Sequence, residues 1–239
     1  MSLYLNVPYS EKEQAKRLGA KWDPRVKKWY TDAYPKDYVK FAKWILRHTD
    51  DAIIATEYLY LIEGVQNCWK CGQKTVVVGL GIGEHIHMYG DSDDPQIEKV
   101  EDEDCEEVHL AWVSKEDDIP PKLLRHMKEH YPVRIGYSKT LGRGSFANHC
   151  SCCGALQGNW FLFHEPDSPL SSCVGGQELV DRMGELKIKG IPIESDLQLE
   201  WEMGYCSNDY AYMEFGQFEE LILSSDPDND YISFEELYE

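Results

Sequence analysis

No apolar run in this chain of 239 residues approaches the ~18 residues that a membrane-spanning helix requires, so no helical span is expected. No charged and apolar leader opens it either. Met1-Ser2-Leu3-Tyr4 leads directly into an amphipathic segment, and the expected location is the cytosol. Three catalytic signatures are also missing: a Ser/His/Asp order, an H-E-x-x-H helix and a phosphate loop. Gly79-Leu80-Gly81-Ile82-Gly83 has the glycines of the last but neither its lysine nor its spacing. Positive charge is scarce, with 24 Lys and Arg against 43 Asp and Glu for a net −19, and the scarcity is local. Residues 1–50 hold 11 basic against 6 acidic residues, whereas residues 51–239 hold 13 against 37. Such asymmetry points to a basic contact module carried by an acidic body, although acids also serve simply as solvated surface.

What is present in quantity is cysteine, eight in all, which in a reducing compartment read as metal ligands and free thiols rather than a disulfide framework. Cys68-Trp69-Lys70-Cys71-Gly72 and Cys150-Ser151-Cys152-Cys153-Gly154 are each C-x-x-C followed by glycine, the form of a zinc knuckle. Two such turns supply four thiolates, Cys68, Cys71, Cys150 and Cys153, a complete tetrahedral shell with no open position. The expected ion is therefore a structural Zn2+. Knuckle, strand and knuckle together predict a zinc ribbon. The usual separation of the pairs is ~15–20 residues. Here 78 residues lie between Cys71 and Cys150, so a subdomain over 72–149 must be inserted.

Other readings stay open. Cys68 and Cys71 can be a redox pair, although Gly72 and a valine strand stand where a helix N-terminus would activate the thiol. His85 and His87 share a strand face and can bind a second metal with Glu84 or Asp91, which would make the chain an enzyme. His149 or Cys152 can replace Cys150 or Cys153 as a ligand. Cys105, Cys152, Cys173 and Cys206 read as small buried hydrophobes.

The first 50 residues predict a compact β-α-β-α module. Residues 3–7 alternate as a strand, and Ser10 with Glu13 forms a capping box for a helix ended by Gly19 in a left-handed cap. Ala15 and Leu18 face inward, and Lys12, Lys16 and Arg17 outward. A proline turn over 23–26 leads to a strand over 28–31, and Pro35 opens a helix to His48 with Tyr38, Phe41, Ala42 and Ile45 inward.

Leu5-Asn6-Val7-Pro8-Tyr9, Glu11-Lys12, Ala15-Lys16, Leu18-Gly19-Ala20, Trp22-Asp23 and Lys28-Trp29-Tyr30 carry a family resemblance. They resemble a small bacterial domain of unknown function found on plasmid-type DNA primases and other mobile-element proteins. The resemblance implies a DNA-metabolism setting and carries no catalytic residues. Independently, Lys12, Lys16, Arg17, Lys21, Lys27 and Lys28, interleaved with Trp22 and Trp29, can neutralise phosphates and stack bases of single-stranded DNA. The competing reading makes the two tryptophans the module's core.

The acidic remainder, 51–239, is expected to be mostly β. Strands are predicted over 52–66, 75–78, 108–113, 159–163 and 197–203, with helices from Pro121 to about His130 and over 177–186. Residues 91–107, with 10 acids and one lysine, read as an exposed loop. Between 122 and 149 the balance reverses to six basic residues against one acid. This stretch, with Lys139 and Arg143, can contact phosphates or pair with the acidic loop. Asp226, Asp228 and Asp230 begin a calcium-loop-like motif that lacks the glycine at its sixth position.

The fold class is thus α+β. The functional expectation is a non-enzymatic zinc-binding, nucleic-acid-associated accessory protein. The alternatives are an acidic adaptor that mimics DNA toward a basic protein surface, and a metal-dependent enzyme using His85 and His87.

Overall fold

In chain order the strands begin with β1 (Leu3–Leu5), β2 (Lys21–Asp23), β3 (Lys28–Thr31), β4 (Asp51–Ala55) and β5 (Tyr58–Asn67). They continue with β6 (Lys74–Ile82), β7 (His85–Tyr89), β8 (Gln96–Val100), β9 (His109–Trp112) and β10 (Val133–Ser138). The last are β11 (Arg143–Asn148), β12 (Lys187–Pro192), β13 (Leu197–Leu199), β14 (Glu202–Met203) and β15 (Gln217–Glu220). The helices are α1 (Lys12–Arg17), α2 (Ala42–Ile45), α3 (Pro121–His130), α4 (Asn159–His164), α5 (Gln177–Gly184) and α6 (Ala211–Phe215). The computed structural model describes residues 2–46, 51–91, 93–100, 106–139 and 142–223. Helix and strand are mixed and strand predominates, 37% against 25%. Two compact units form, the first from residues 1–58, 84–102 and 193–200, the second from 59–83, 103–192 and 201–239.

The first unit holds two antiparallel sheets, β1-β3-β2 and β13-β4-β7-β8. Leu3 and Leu5 of β1, Ala15 of α1, Trp29 of β3, and Tyr38, Phe41 and Trp44 share one apolar cluster with Ile54, Ile86 and Met88. The β2–β3 hairpin turns at Pro24, where the Asp23 carboxylate accepts the Arg25 amide at 2.9 Å and Lys27 adopts φ +52°. Gly19 ends α1 at φ +99°, which lets the Ala20 amide reach back to the Ala15 carbonyl at 3.0 Å, as the sequence predicts. The Tyr38 hydroxyl donates to Asp196, both fully buried. Burial and the facing carboxylate push the tyrosine's pKa up, and burial raises that of Asp196.

The second unit is built on a six-stranded sheet ordered β14-β9-β6-β5-β12-β15, with a separate β10-β11 hairpin. Only the β12–β15 edge pair is parallel among the registers defined here. The glycine-rich run on β6 has a packing cause. A Cβ on Gly79 would come within 2.9 Å of Leu110 and 3.1 Å of both Leu170 and Phe163, so these side chains occupy the space a residue there would need.

Several local expectations are corrected. Residues 159–163 form helix α4 and not a strand, because Asn159 and Leu162, three apart, face inward while Trp160 faces solvent; a short apolar run fits either geometry. The stretch 52–66 breaks into β4 and β5 around Thr56, whose hydroxyl turns to the Glu84 carbonyl at 3.1 Å. Residues 91–107 contain β8, which pairs with β7 despite its charges. Residues 197–203 divide between β13 and β14, which lie in different sheets. Helix α1 is entered through a 3-10 turn, Tyr9–Glu11, without a side-chain cap from Ser10, and Leu18 is exposed. Residues 35–41 are 3-10 rather than α. The calcium-like motif from Asp226 through Asp228 and Asp230 lies outside the described residues.

Replacing Tyr38 with phenylalanine removes one donor from a buried carboxylate and adds nothing. The expected loss is about 1–3 kcal/mol of unfolding free energy, read from urea titration at neutral pH.

Candidate metal centre

Strands β5 and β6 run antiparallel up to the pair Asn67↔Lys74, so residues 68–73 are the tip of their hairpin. The second knuckle follows β11 and is closed by a bridge between His149 and Leu156. The two turns share one hydrogen-bond pattern. The amides of Cys68 and Cys150 donate at 2.8 Å to the carbonyl five residues on, Gln73 and Ala155. Their own carbonyls accept at 2.9 Å from Gly72 and Gly154. Those glycines sit at φ +71° and +68°, a conformation in which any L side chain is strained.

The turns meet crosswise. Cys68 Sγ lies 3.7 Å from Cys153 Sγ, and Cys71 Sγ lies 3.7 Å from Cys150 Sγ. All four sulfurs fall within 4.8 Å of one another, and the four cysteines can hold one metal ion. Around them, the Lys70 amide points at Cys68 Sγ at 3.4 Å and the Cys152 amide at Cys150 Sγ at 3.4 Å. Gln157 Nε2 adds a contact to Cys68 at 3.5 Å. Burial raises the Cys68 pKa, but the Cys71 and Lys70 amides and Gln157 outweigh it and bring the thiol down to about 6. At Cys71 the Gln73 amide lowers the pKa, yet burial and the neighbouring sulfurs prevail and push it up to about 12. The Cys153 and Cys152 amides also lower the pKa of Cys150, so backbone donors favour the thiolate at one cysteine of each knuckle.

Residues that sequence reasoning passed over hold the two turns together. Trp69 Nε1 donates to the Leu156 carbonyl at 2.7 Å, and the Ser151 amide donates to Thr75 Oγ1 at 3.1 Å. Asn148 pairs with both backbone groups of Val78, each at 2.9 Å. Nothing in the local pattern marks these residues, because each acts across 70 to 87 positions of chain. His149 stays outside the sulfur cluster; its Nδ1 meets the Ala147 carbonyl at 2.9 Å and burial lowers its pKa. Cys152 and Cys173 are exposed and Cys206 is half-buried, which corrects their reading as core residues, and Cys105 lies outside the described residues. His85 is fully buried on β7 and His87 partly so. Among the described residues, neither joins a group of three or more ligands close enough to share an ion. A second polar network is buried instead at His109, whose Nδ1 lies 2.7 Å from Asp209, while Ser172 Oγ donates to the other carboxylate oxygen at 2.6 Å.

The basic candidates of the first unit fall on α1 and the β2–β3 hairpin. Lys16, Arg17, Lys21, Lys27 and Trp22 are exposed, and Lys12 and Lys28 half-exposed. Trp29 is buried and packs against Trp22 with ring centroids 5.5 Å apart, so one tryptophan serves the core and the other faces solvent. Lys16 pairs with Glu13 at 3.0 Å, and Lys21 pairs with Asp32. Lys139 and Arg143 are exposed at the turn of the β10–β11 hairpin in the second unit.

Residues 2–45 match the family described as "Domain of unknown function (DUF5710)". Over 45 residues, 17% of this chain and 3% of the relative, the chain is 53% identical to a DNA primase TraC of Escherichia coli. Another protein named DNA primase TraC from the same organism is 27% identical over 131 residues, 55% of this chain and 11% of that protein. The chain therefore spans about a tenth or less of the length of these relatives. No solved structure matches it.

A Cys153→Ser protein is expected to lose its bound metal and to melt at lower temperature, because ligand binding and folding are coupled in such sites. Elemental analysis and a thermal melt on the same sample check this. Retention of both metal and melting temperature would remove Cys153 from the ligand set.

Proposed function

We propose that this chain is a non-enzymatic, zinc-stabilised accessory protein of a plasmid, phage or mobile element, and that its basic N-terminal module contacts single-stranded DNA. The observation that carries the reading is the 53% identity to a segment of a DNA primase, in a module whose cations Lys12, Lys16, Arg17, Lys21, Lys27 and Lys28 are exposed or half-exposed. In this reading the functional division falls near residue 50, between a cationic contact module and an acidic body.

A zinc ion fits the sulfur geometry. Tetrahedral Zn–S bonds of about 2.3 Å place ligand sulfurs about 3.8 Å apart. The two crosswise separations are 3.7 Å. The knuckles on the β5–β6 tip and after β11 then make the two halves of a ribbon, and four sulfurs leave the ion no position for substrate water. Bound zinc would fix the turns and supply no reaction.

At the module, the expected contacts are Lys12, Lys16, Arg17, Lys21, Lys27 and Lys28 on phosphates, with Trp22 as an accessible stacking surface. Trp29 supports Trp22 from behind. Phosphate neutralisation releases counterions, so affinity must fall steeply with salt. Fluorescence anisotropy with a labelled dT20 strand at two salt concentrations tests the reading. Charge reversal at Lys12, Lys16 and Arg17 together is expected to weaken binding and to flatten the salt slope by about 2. Unchanged affinity and slope would overturn the module as the contact surface, and a complete lack of DNA binding by the full chain would move the partner to a basic protein surface met by the acidic body.

A further inference from the structure

Two segments of the strongly acidic second part of the chain carry no acid of their own. Residues 64–83 and 130–164 carry five lysines and arginines and no aspartate or glutamate. These are the segments that build the cysteine cluster and the hairpin beside it. Lys70, Lys74, Arg134, Lys139 and Arg143 are all exposed. Among the described residues, none of the five has a carboxylate within ion-pair distance, whereas in the N-terminal module Lys16, Lys21, Lys40 and Lys43 are each paired with one. Five unpaired cations in a protein of net charge −19 make this the surface where an anion meets the least competition.

Trp69, 72% exposed, stands in the first knuckle. Its indole N–H is fixed to the Leu156 carbonyl at 2.7 Å, so the ring is presented to solvent in one orientation and loses little freedom on contact. The second knuckle and β10 continue the surface. Arg134 donates to the Gly154 carbonyl at 3.2 Å. Gly136 leaves room for His149 and Leu156, each of which would lie under 3 Å from a Cβ there. Strand register puts Arg134, Gly136 and Ser138 on one hairpin face, with Arg143 opposite Ser138 on that same face. The backbone positions of Arg134 and Ser138 thus stand about 13 Å apart along the strand, four residues at about 3.3 Å each.

We infer that the face around the four-cysteine centre is a second nucleic-acid site, which takes an unpaired strand with a base stacked on Trp69 and phosphates on Lys70, Lys74, Arg134, Lys139 and Arg143. A stacking ring set among spaced cations suits a single strand, whose bases are free to leave the helix, and it tolerates any sequence because every base has a π face. The inference goes beyond the N-terminal module and stands or falls independently of it.

The test uses the full chain with its metal, labelled dT20 and rU20 probes, and anisotropy at two salt concentrations. Trp69→Ala is expected to weaken binding about ten-fold or more, and Trp69→Phe, which keeps a ring, to restore most of it. Arg134→Glu with Arg143→Glu is expected to weaken binding and flatten the salt slope by about 1.4, two phosphates at 0.7 each. Metal content and melting temperature show that each variant is folded; should Trp69→Ala fail to fold, Trp69→Phe and the paired arginine variant still decide. Tighter binding of one probe names the strand as DNA or RNA, and either result supports the site. Affinity and slope unchanged in the folded knuckle variants would overturn it, even if charge reversal at Lys12, Lys16 and Arg17 abolishes binding. Loss through the knuckle variants with that triple variant unaffected would keep this site and remove the module. Competition by polyglutamate as effective as that by dT20 and insensitive to Trp69→Ala would also overturn it.

Discussion

The second unit depends on four sulfur atoms that arrive from two turns 79 to 85 positions apart and converge within 4.8 Å. A cross-link over a loop of about 80 residues removes about 4–5 kcal/mol of freedom from the unfolded chain. Inside that loop lie two strands of the central sheet, β6 and β9, with helix α3 and the β10–β11 hairpin. An ion held there would be bound by both turns at once, and its binding would be linked to folding of the unit. Hydrogen bonds from Trp69, Ser151 and Asn148 orient the turns before any ion arrives, which lowers the ordering that binding itself must impose.

Charge is distributed to match. The acids that make the body soluble are concentrated elsewhere in its sequence, and the segments forming the knuckles carry none. In the N-terminal module the arrangement differs, since several lysines there are neutralised by neighbours three positions away or across a hairpin. Exposed pairs of that kind contribute little to stability, but they do reduce the net field a phosphate would encounter. Formal charge by segment is therefore a poor guide to which cations are available, and the pairing pattern is a better one.

Legibility in the sequence followed the range of the interaction. The C-x-x-C-Gly turns named all four sulfurs because a tight turn and its glycine are local chemistry, and Gly19 and the Pro121 helix start were legible for the same reason. The 44 residues matched by the family description include all the positions from which the resemblance was drawn. Helix α4 was not legible, since four apolar residues in a row satisfy both periods and the inward turn of Asn159 and Leu162 decides between them. Nor was the role of Trp69: its position in a knuckle says nothing of the Leu156 carbonyl 87 residues on that holds it outward.

Asn148 has a further effect. Among the described residues, strand β6 pairs with β9 from Leu80 to Ile82, and the earlier part of that edge has no neighbouring strand. The Asn148 amide fills one rung of the gap, giving and taking a hydrogen bond at Val78 as a passing strand would. A side chain of this kind imitates one residue of β-structure and stops there. Thr75, Val77 and Val78 are buried there, so the carboxamide satisfies backbone groups that water does not reach.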